Sequence, residues 1–218
     1  MTEVQPCVFI VDDDEVIRTS LSRALIARGM TVQAFTSADA FLRAYDDDKP
    51  GCLVLDYGMP HMTGLELQQL LAAQGRTIPI IFITGHGGVP ESVQAIKRGA
   101  IDFLEKPFRQ DTLLDRIRIA FQKDAQAREA RKVIDAARVK FDRLTDREQE
   151  IAEFVVLNPA TTSSKDVARA LDISPRTVDH HRARILEKME VKSVVALVDL
   201  CRSTGILGSV ADRGGILR

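Results

Sequence analysis

The stretch Val8-Phe9-Ile10-Val11-Asp12-Asp13-Asp14 is a run of four apolar residues that ends in three carboxylates. Uninterrupted apolar runs of this length are typical of strands buried on both faces, as in a parallel sheet covered by helices. Two more such runs, 53–55 and 80–83, are followed by Asp56 and by Thr84. Together the three runs predict the centre of a parallel sheet with polar side chains along one edge.

Five strand-and-helix units fit the first half of the chain. The predicted strands are 8–11, 31–35, 53–56, 80–84 and 102–105, and the predicted helices are 15–28, 37–45, 64–74, 90–98 and 109 onward. Five units in succession indicate an α/β fold with a doubly wound parallel sheet, which binds ligands at the carboxyl ends of its strands.

Four of the five predicted strands end in polar or charged residues. Three of these ends carry Asp12-Asp13-Asp14, Asp56 and Thr84, and the fifth strand leads into Lys106. Each has an ordinary explanation, since residues 12–15 could cap a helix and Thr84 or Lys106 alone is common at a strand end. Their occurrence together at one edge of the sheet favours a functional site.

Composition limits the classes of protein to which the chain could belong. A length of 218 residues suits two domains, and no run of about 18 apolar residues predicts a membrane span. No secretory signal pattern is evident, and the spacing of Cys7, Cys52 and Cys201 fits neither a zinc site nor a redox pair. We therefore expect a cytoplasmic protein with buried, reduced cysteines.

Charge is distributed unevenly, although the formal net charge is −1. Residues 1–108 carry 9 basic and 14 acidic side chains, whereas residues 109–140 carry 9 and 5. The stretch from 109 to about 142 also lacks Pro and Gly, which predicts that the last helix of the first domain continues into a solvated linker helix. The predicted division is a first domain over 1–122, a linker over 123–142, a second domain over 143–206 and a flexible tail over 207–218.

The second domain has the pattern of an all-α, four-helix fold. Thr145 and Glu148 fit a capping box, and a second helix is predicted from about 164 to 171. After a tight turn, Ser174 caps a basic helix that begins at Pro175 and ends near residue 189. A short helix, a tight turn and a basic helix predict a helix-turn-helix, and a fourth helix follows over 193–203.

The quoted motifs resemble two known modules. Val11-Asp12-Asp13-Asp14, Leu55-Asp56-Tyr57-Gly58-Met59-Pro60 and Phe103-Leu104-Glu105-Lys106-Pro107 are similar to receiver domains with a flavodoxin-like sheet. Leu144-Thr145 with Arg147-Glu148, and Ile173-Ser174-Pro175-Arg176-Thr177-Val178, resemble the LuxR-type output domain. The whole chain is therefore similar to two-component response regulators of the NarL/FixJ class.

The resemblance implies a phosphorylation site in the first domain. Asp56 would accept a phosphoryl group from a sensor histidine kinase, with Lys106 and Thr84 contacting that group. Mg²⁺, which prefers oxygen ligands, would be held by Asp12, Asp13, Asp56 and the Gly58 carbonyl. Thr84 and Phe103 would form the switch that changes the surface after phosphorylation. No enzymatic activity is expected beyond Mg²⁺-dependent self-phosphorylation and autodephosphorylation.

The resemblance also implies binding to duplex DNA and formation of a homodimer on phosphorylation. The expected DNA-contacting residues are Lys165, Arg176, Thr177, Asp179, His180, Arg182, Ala183, Arg184 and Lys188. The apolar stripe expected to pair subunits consists of Val194, Leu197, Val198 and Cys201. Three features depart from the family pattern. The 157–163 loop is long and lacks glycine, the acidic Asp179 lies on a helix expected to face phosphates, and Ala183 offers only a methyl contact where a longer polar side chain could read a base.

Two other functions stay open at the level of sequence. Residues 141–218 carry 12 basic and 12 acidic side chains, so a protein-interaction regulator without DNA affinity fits the charge. An enzyme using phosphatase-like aspartate chemistry is a third class, but nothing in the sequence suggests a substrate pocket beside Asp56.

Overall fold

The computed structural model describes residues 5–85 and 89–207, without the side chains of residues 89–92. The predicted tail lies outside the described residues except for Leu207. None of the helices in the described ranges combines the length and the apolar character needed to cross a bilayer.

The first domain is built on a five-stranded parallel sheet with the order β2-β1-β3-β4-β5. The strands are β1 (Cys7–Val11), β2 (Thr31–Phe35), β3 (Gly51–Asp56), β4 (Ile80–Thr84) and β5 (Asp102–Glu105). The three strands predicted from apolar runs are buried along their whole length. The predicted doubly wound sheet is therefore confirmed.

Helices cover both faces of the sheet: α1 (Glu15–Ile26), α2 (Ala38–Ala44), α3 (Gly64–Ala73), α4 (Val89–Lys97) and α5 (Gln110–Phe141). Alternate strand residues supply two separate cores. Phe9, Leu53 and Phe82 pack with residues of α2 and α3, whereas Ile10 and Val54 pack with residues of α1 and α5. Successive residues of a strand point to opposite faces of the sheet, and each face is covered by helices. The central strands are therefore apolar at every position.

The chain divides into two compact units at Arg128 and Glu129, inside the predicted linker. Helix α5 is continuous from Gln110 to Phe141. Its first turns bury Leu113, Leu114 and Ile117 in the first unit. Its last turns bury Ala137 and Phe141 in the core of the second unit, so residues assigned to the linker serve as core. The domain boundaries given above stay predictions.

Four further helices lie in the described part of the second unit. These are α6 (Asp146–Leu157), α7 (Ser164–Ala170), α8 (Pro175–Met189) and α9 (Val194–Thr204). Thr145 and Glu148 form the predicted capping box, and Ser174 caps α8 with Pro175 in its first turn. The helix-turn-helix pattern is thus formed by α7 and α8.

The dimer surface inferred for α9 requires a correction. Leu197, Val198 and Cys201 are buried at 3%, 7% and 1% exposure, packed in the core of their own domain. Their assignment to a surface that pairs subunits is wrong, because the apolar stripe is already covered by α6 and α8. Val194 is half-buried, and the exposed apolar residue of this helix is Val195.

Candidate phosphoacceptor site and DNA interface

Acidic and basic side chains meet at the carboxyl ends of β1, β3 and β5. The Lys106 ammonium, after β5, donates hydrogen bonds to Asp12 Oδ2 at 2.8 Å and to Asp56 Oδ1 at 2.7 Å. Asp12 and Asp56 are almost fully buried, while Asp13 is exposed. Parallel topology is the cause, since it brings the ends of these strands to one edge of the sheet.

Backbone donors complete the surroundings of the two buried carboxylates. Asp56 Oδ2 accepts from the Gly58 N–H at 2.8 Å, and Asp12 Oδ1 accepts from the Asp14 N–H at 2.9 Å. The Asp14 side chain caps α1 through the N–H groups of Val16 and Ile17, as expected for one carboxylate of the 12–14 run. Each of the three consecutive carboxylates therefore has a different environment.

Burial and pairing act against each other on the charges of this cluster. Burial raises the pKa of the Asp12 carboxyl, although hydrogen bonds from Lys106 and the Asp14 N–H oppose the effect. Burial alone would lower the pKa of Lys106, but its hydrogen bonds and attraction to Asp12 and Asp56 outweigh burial, so its pKa is raised. We conclude that Lys106 stays charged and that its ammonium compensates the buried carboxylates.

Close packing fixes the backbone that carries Asp56. A Cβ atom at Gly64, the first residue of α3, would lie 2.5 Å from the Asp56 carbonyl oxygen and 2.9 Å from the Phe82 ring. Only glycine therefore fits at this position. At Gly58, in contrast, the nearest atom to an added Cβ would be Asp56 Oδ2 at 3.8 Å, which is ordinary contact.

An aromatic cluster lies beside the acidic residues. The Phe103 ring is 5.8 Å from Tyr57 and 6.0 Å from Phe82, measured between centroids, and is only half-buried. Thr84, at the end of β4, is 2% exposed, and its carbonyl accepts from the Lys106 N–H at 2.7 Å. Sequence reasoning did not single out Tyr57, although an aromatic residue directly after Asp56 was a visible signal. The Tyr57 ring directly follows Asp56 and contacts Phe103, so it links the strand that carries the phosphoacceptor to the proposed switch residue.

The exposed face of α8 carries part of the predicted DNA contacts. Arg176, Asp179, His180, Ala183 and Arg184 are exposed, and Lys165 is exposed on α7. Their spacing of three and four residues places the α8 members on one side of the helix. Thr177 is half-buried, and its hydroxyl lies 2.7 Å from the hydroxyl of the capping Ser174.

Two families match the chain in successive segments. The family described as the response regulator receiver domain matches residues 8–118, and the luxR family of bacterial regulatory proteins matches residues 142–201. The chain belongs to the response regulators. Its two domains, and its similarity to the transcriptional regulatory protein FixJ, place it in the NarL/FixJ class of transcription regulators.

Similar proteins extend over nearly the whole of this response regulator. It is 43% identical to the response regulator protein TmoT of Ectopseudomonas mendocina, over 91% of this chain and 89% of that protein. It is 38% identical to FixJ of Bradyrhizobium diazoefficiens, over 92% and 96% of the two chains. The solved structure of the response regulator StyR is 41% identical and covers 91% of this chain and 98% of its own, with a TM-score of 0.76.

Receiver domains bind Mg²⁺ at their acidic pocket, and the residues here suit that ion. Carboxylate oxygens of Asp12, Asp13 and Asp56 lie within 4.8 Å of one another, the one such group in the described part of the chain. All three ligands are hard oxygen donors, which Mg²⁺ prefers. The ligand role expected for the Gly58 carbonyl stays a prediction.

Two cations predicted to contact DNA are engaged inside the output domain of this response regulator. Arg182 donates to the Thr162 carbonyl and, at 3.0 Å, to the Ser164 hydroxyl. Lys188 donates to the carboxylate of Glu148 at 2.6 Å, and that carboxylate is 1% exposed. Both side chains thus have partners inside the domain, and their predicted contacts with DNA stay a prediction.

Asp179 also has a partner within the domain, because its carboxylate accepts a hydrogen bond from the Ser164 hydroxyl. Ser164 thus lies between Asp179 and Arg182, at the start of α7 and directly after the long loop. Sequence reasoning also missed Arg169, which is exposed one helical turn after Lys165 on α7. The four-residue spacing of these two cations was the available signal.

Proposed function

We propose that this response regulator accepts a phosphoryl group on Asp56 from a sensor histidine kinase in the cytoplasm, and that this event controls sequence-specific DNA binding through α8. The observation that carries the proposal is the pair of hydrogen bonds from the Lys106 ammonium to the buried carboxylates of Asp12 and Asp56. No other residue of β3 combines a carboxylate with a position at the sheet edge.

Transfer requires an oxygen of Asp56 to form a bond to phosphorus while the phosphorus–nitrogen bond of the kinase phosphohistidine breaks. The leaving imidazole keeps the electron pair and is protonated by solvent. Lys106 compensates charge on the phosphoryl oxygens as a point charge, and the Gly58 N–H holds one oxygen of the nucleophile. Mg²⁺, when bound by Asp12, Asp13 and Asp56, supplies further charge neutralisation. The protein's contribution is therefore positioning and electrostatics.

The signal leaves the site through the residues at the ends of β4 and β5. Thr84 moves toward the new phosphoryl group, and Phe103 turns inward from its half-buried position against Tyr57 and Phe82. This rearrangement changes the surface of the fourth and fifth units and favours a receiver-mediated homodimer. Two output domains then bind two half-sites, which gives more contact area than one domain offers.

Replacement of one carboxylate tests the phosphoacceptor. Asp56→Asn is expected to abolish labelling by acetyl phosphate in the presence of Mg²⁺, measured as the mass of the intact protein. Asp14→Asn is a matched control, because asparagine caps a helix as well as aspartate does and Asp14 lies outside the metal-binding group. Labelling that persists in Asp56→Asn, or that is lost in Asp14→Asn, would contradict the assignment.

A further inference from the structure

A carboxylate lies among the basic residues on the exposed face of α8. Asp179 is the one acidic residue between positions 175 and 186 of the sequence. It follows Arg176 by three residues and precedes Ala183 by four, and all three are exposed, so they share one side of the helix. A carboxylate repels DNA phosphates, so on a helix that binds DNA it costs affinity unless a hydrogen-bond donor of the DNA compensates it.

A chain of hydrogen bonds between α7 and α8 holds the Asp179 carboxylate. Its Oδ1 accepts from the Ser164 hydroxyl. The same hydroxyl accepts from Arg182 Nη1 at 3.0 Å, and Arg182 also donates to the Thr162 carbonyl. A serine hydroxyl has a single hydrogen to donate, and Ser164 directs it to Asp179. Ser164 therefore fixes the direction of the Asp179 carboxylate.

The second carboxylate oxygen of Asp179 is open to a bound partner. This atom, Oδ2, has no hydrogen bond to any residue in the described ranges, and the side chain is exposed. In the major groove the base donors are the amino groups of cytosine and adenine, and acidic side chains accept from cytosine N4. Adenine suits a carboxylate less well, because its N7 acceptor lies beside the amino group. The open oxygen therefore matches cytosine.

We infer that Asp179 accepts a hydrogen bond from a cytosine amino group in each DNA half-site and that Ser164 is its positioning residue. The inference rests on the proposed function, because it requires α8 to enter the major groove, where the first turns of a recognition helix contact base edges. Thymine and guanine present only acceptors at the corresponding positions, so they leave the charge of the carboxylate uncompensated. Asp179 thus contributes discrimination between sequences more than affinity.

Selection from duplexes with two randomised half-sites tests the inference, with the full chain in Mg²⁺ and beryllofluoride. The wild type should enrich cytosine at one position, and Asp179→Ala should lose that preference and bind the selected duplex about tenfold more weakly. On a duplex with thymine at that position, Asp179→Ala should bind at least as tightly as the wild type. Asp199→Ala, which removes an exposed carboxylate of α9, is the matched control and should keep the wild-type preference.

A modified base identifies the atom that Asp179 contacts. Methylation of cytosine N4 replaces the amino hydrogen that faces the major groove and leaves the Watson–Crick hydrogen bond in place. A methyl group on the selected cytosine should weaken wild-type binding about tenfold and leave the binding of Asp179→Ala unchanged. The same modification of a cytosine outside the half-sites is the control for altered duplex stability.

Variants of Ser164 test its positioning role. Ser164→Ala should lower the preference for cytosine to about threefold, because the carboxylate regains rotational freedom, and Ser164→Thr should restore it by keeping the hydroxyl. A purely structural role for Ser164 would change thermal stability and leave the base preference intact. Cytosine preference that survives Asp179→Ala, or equal losses on the cytosine and thymine duplexes, would overturn the inference but not DNA binding by α8. Absence of salt-dependent binding by the wild type would overturn the proposed function as well.

Discussion

The acidic pocket and the recognition helix α8 hold their charged side chains in different ways. In the pocket, Lys106 and two buried carboxylates satisfy one another, and each comes from a different strand. On α8, Arg184 is exposed, whereas Arg182 donates to the Thr162 carbonyl in the loop before α7 and to the Ser164 hydroxyl at the start of α7. Two arginines that lie two residues apart therefore have different surroundings.

Geometry explains this difference. Parallel strands deliver their last residues to one edge, so polar residues at strand ends meet whatever their separation in sequence. On a helix, residues two apart point about 200° away from each other around the axis, so Arg182 turns toward the domain when Arg184 turns toward solvent. The basic residues of one helix can therefore include some that face solvent, where DNA can reach them, and others that bond within their own domain.

The largest expected effect tests how rigidly the pocket is held. Gly64→Ala should destabilise the receiver by about 3 kcal/mol, because the new Cβ would overlap the Asp56 carbonyl oxygen. Gly58→Ala, with its nearest atom at 3.8 Å, should change stability by no more than about 0.5 kcal/mol. Tyrosine fluorescence in urea reports this transition alone, since both tyrosines, Tyr45 and Tyr57, belong to the receiver and the chain has no tryptophan. Equal stability of the two variants would show that the backbone around Asp56 adapts easily.

The second effect concerns the buried ion pair of the output domain. Burial opposes the charge of Glu148, but hydrogen bonds from Lys188 and Thr145 outweigh it and lower the pKa of Glu148. Glu148→Gln keeps the capping box and removes the charge, which should cost about 1–2 kcal/mol because a third of Lys188 stays exposed. Glu150→Gln, at an exposed pair with Arg147, is the matched control.

The pH dependence of this effect has a definite sign. A carboxyl whose pKa is lowered on folding stabilises the protein above the unfolded value of about 4.3, and this contribution disappears as the pH falls through the folded pKa. The stability difference between wild type and Glu148→Gln should therefore be full at neutral pH and vanish in acid. Helix content followed by circular dichroism measures it; a difference that grows on acidification would contradict the pairing.

Strand positions were predictable because burial on both faces demands continuous apolar residues. The predicted strands agree with β2, β4 and β5 at both ends, and differ at the start of β1 and β3, where Cys7 and Gly51 extend the pairing. The convergence of Asp12, Asp56 and Lys106 followed from topology alone. Their hydrogen-bond pattern, and the assignment of Asp14 as a helix cap, required coordinates.

Periodicity did not reveal which surface covers an apolar stripe. The spacing of Leu197, Val198 and Cys201 predicts a buried face on α9, but a face buried by α6 and α8 looks the same in sequence as one buried by a second subunit. Arg182 presents a similar problem, because its partner Thr162 belongs to a loop of unusual length and its partner Ser164 directly follows that loop. Such contacts depend on loop conformation, which local propensity does not encode.

The third effect sharpens the contrast between the two arginines of α8. Arg184→Ala should weaken binding to mixed-sequence duplex DNA by about 1 kcal/mol and lower the salt slope by about 1, as for one exposed phosphate contact. Arg182→Ala should instead lower the thermal stability of the output domain and leave the salt slope unchanged. Fluorescence anisotropy over a range of salt concentrations measures both slopes. No salt-dependent binding by the wild type would favour a protein-interaction regulator instead.

The smallest effect concerns the outer face of α9, which replaces the buried stripe as the candidate surface for pairing output domains. Val195 is 69% exposed and has no evident role within its own domain. Val195→Asp should leave the stability of the output domain unchanged, because the side chain at this position remains in water.

If receiver domains drive pairing, sedimentation with a beryllofluoride phosphoryl mimic should show the same increase in mass for the Val195→Asp variant and the wild type. Binding to DNA with two half-sites should weaken, by less than the loss from Arg184→Ala, while binding to a single half-site stays constant because that site needs no second subunit. Equal weakening on both DNA substrates would place Val195 in the DNA interface, and an unchanged mass of the wild type would remove receiver dimerisation from the mechanism.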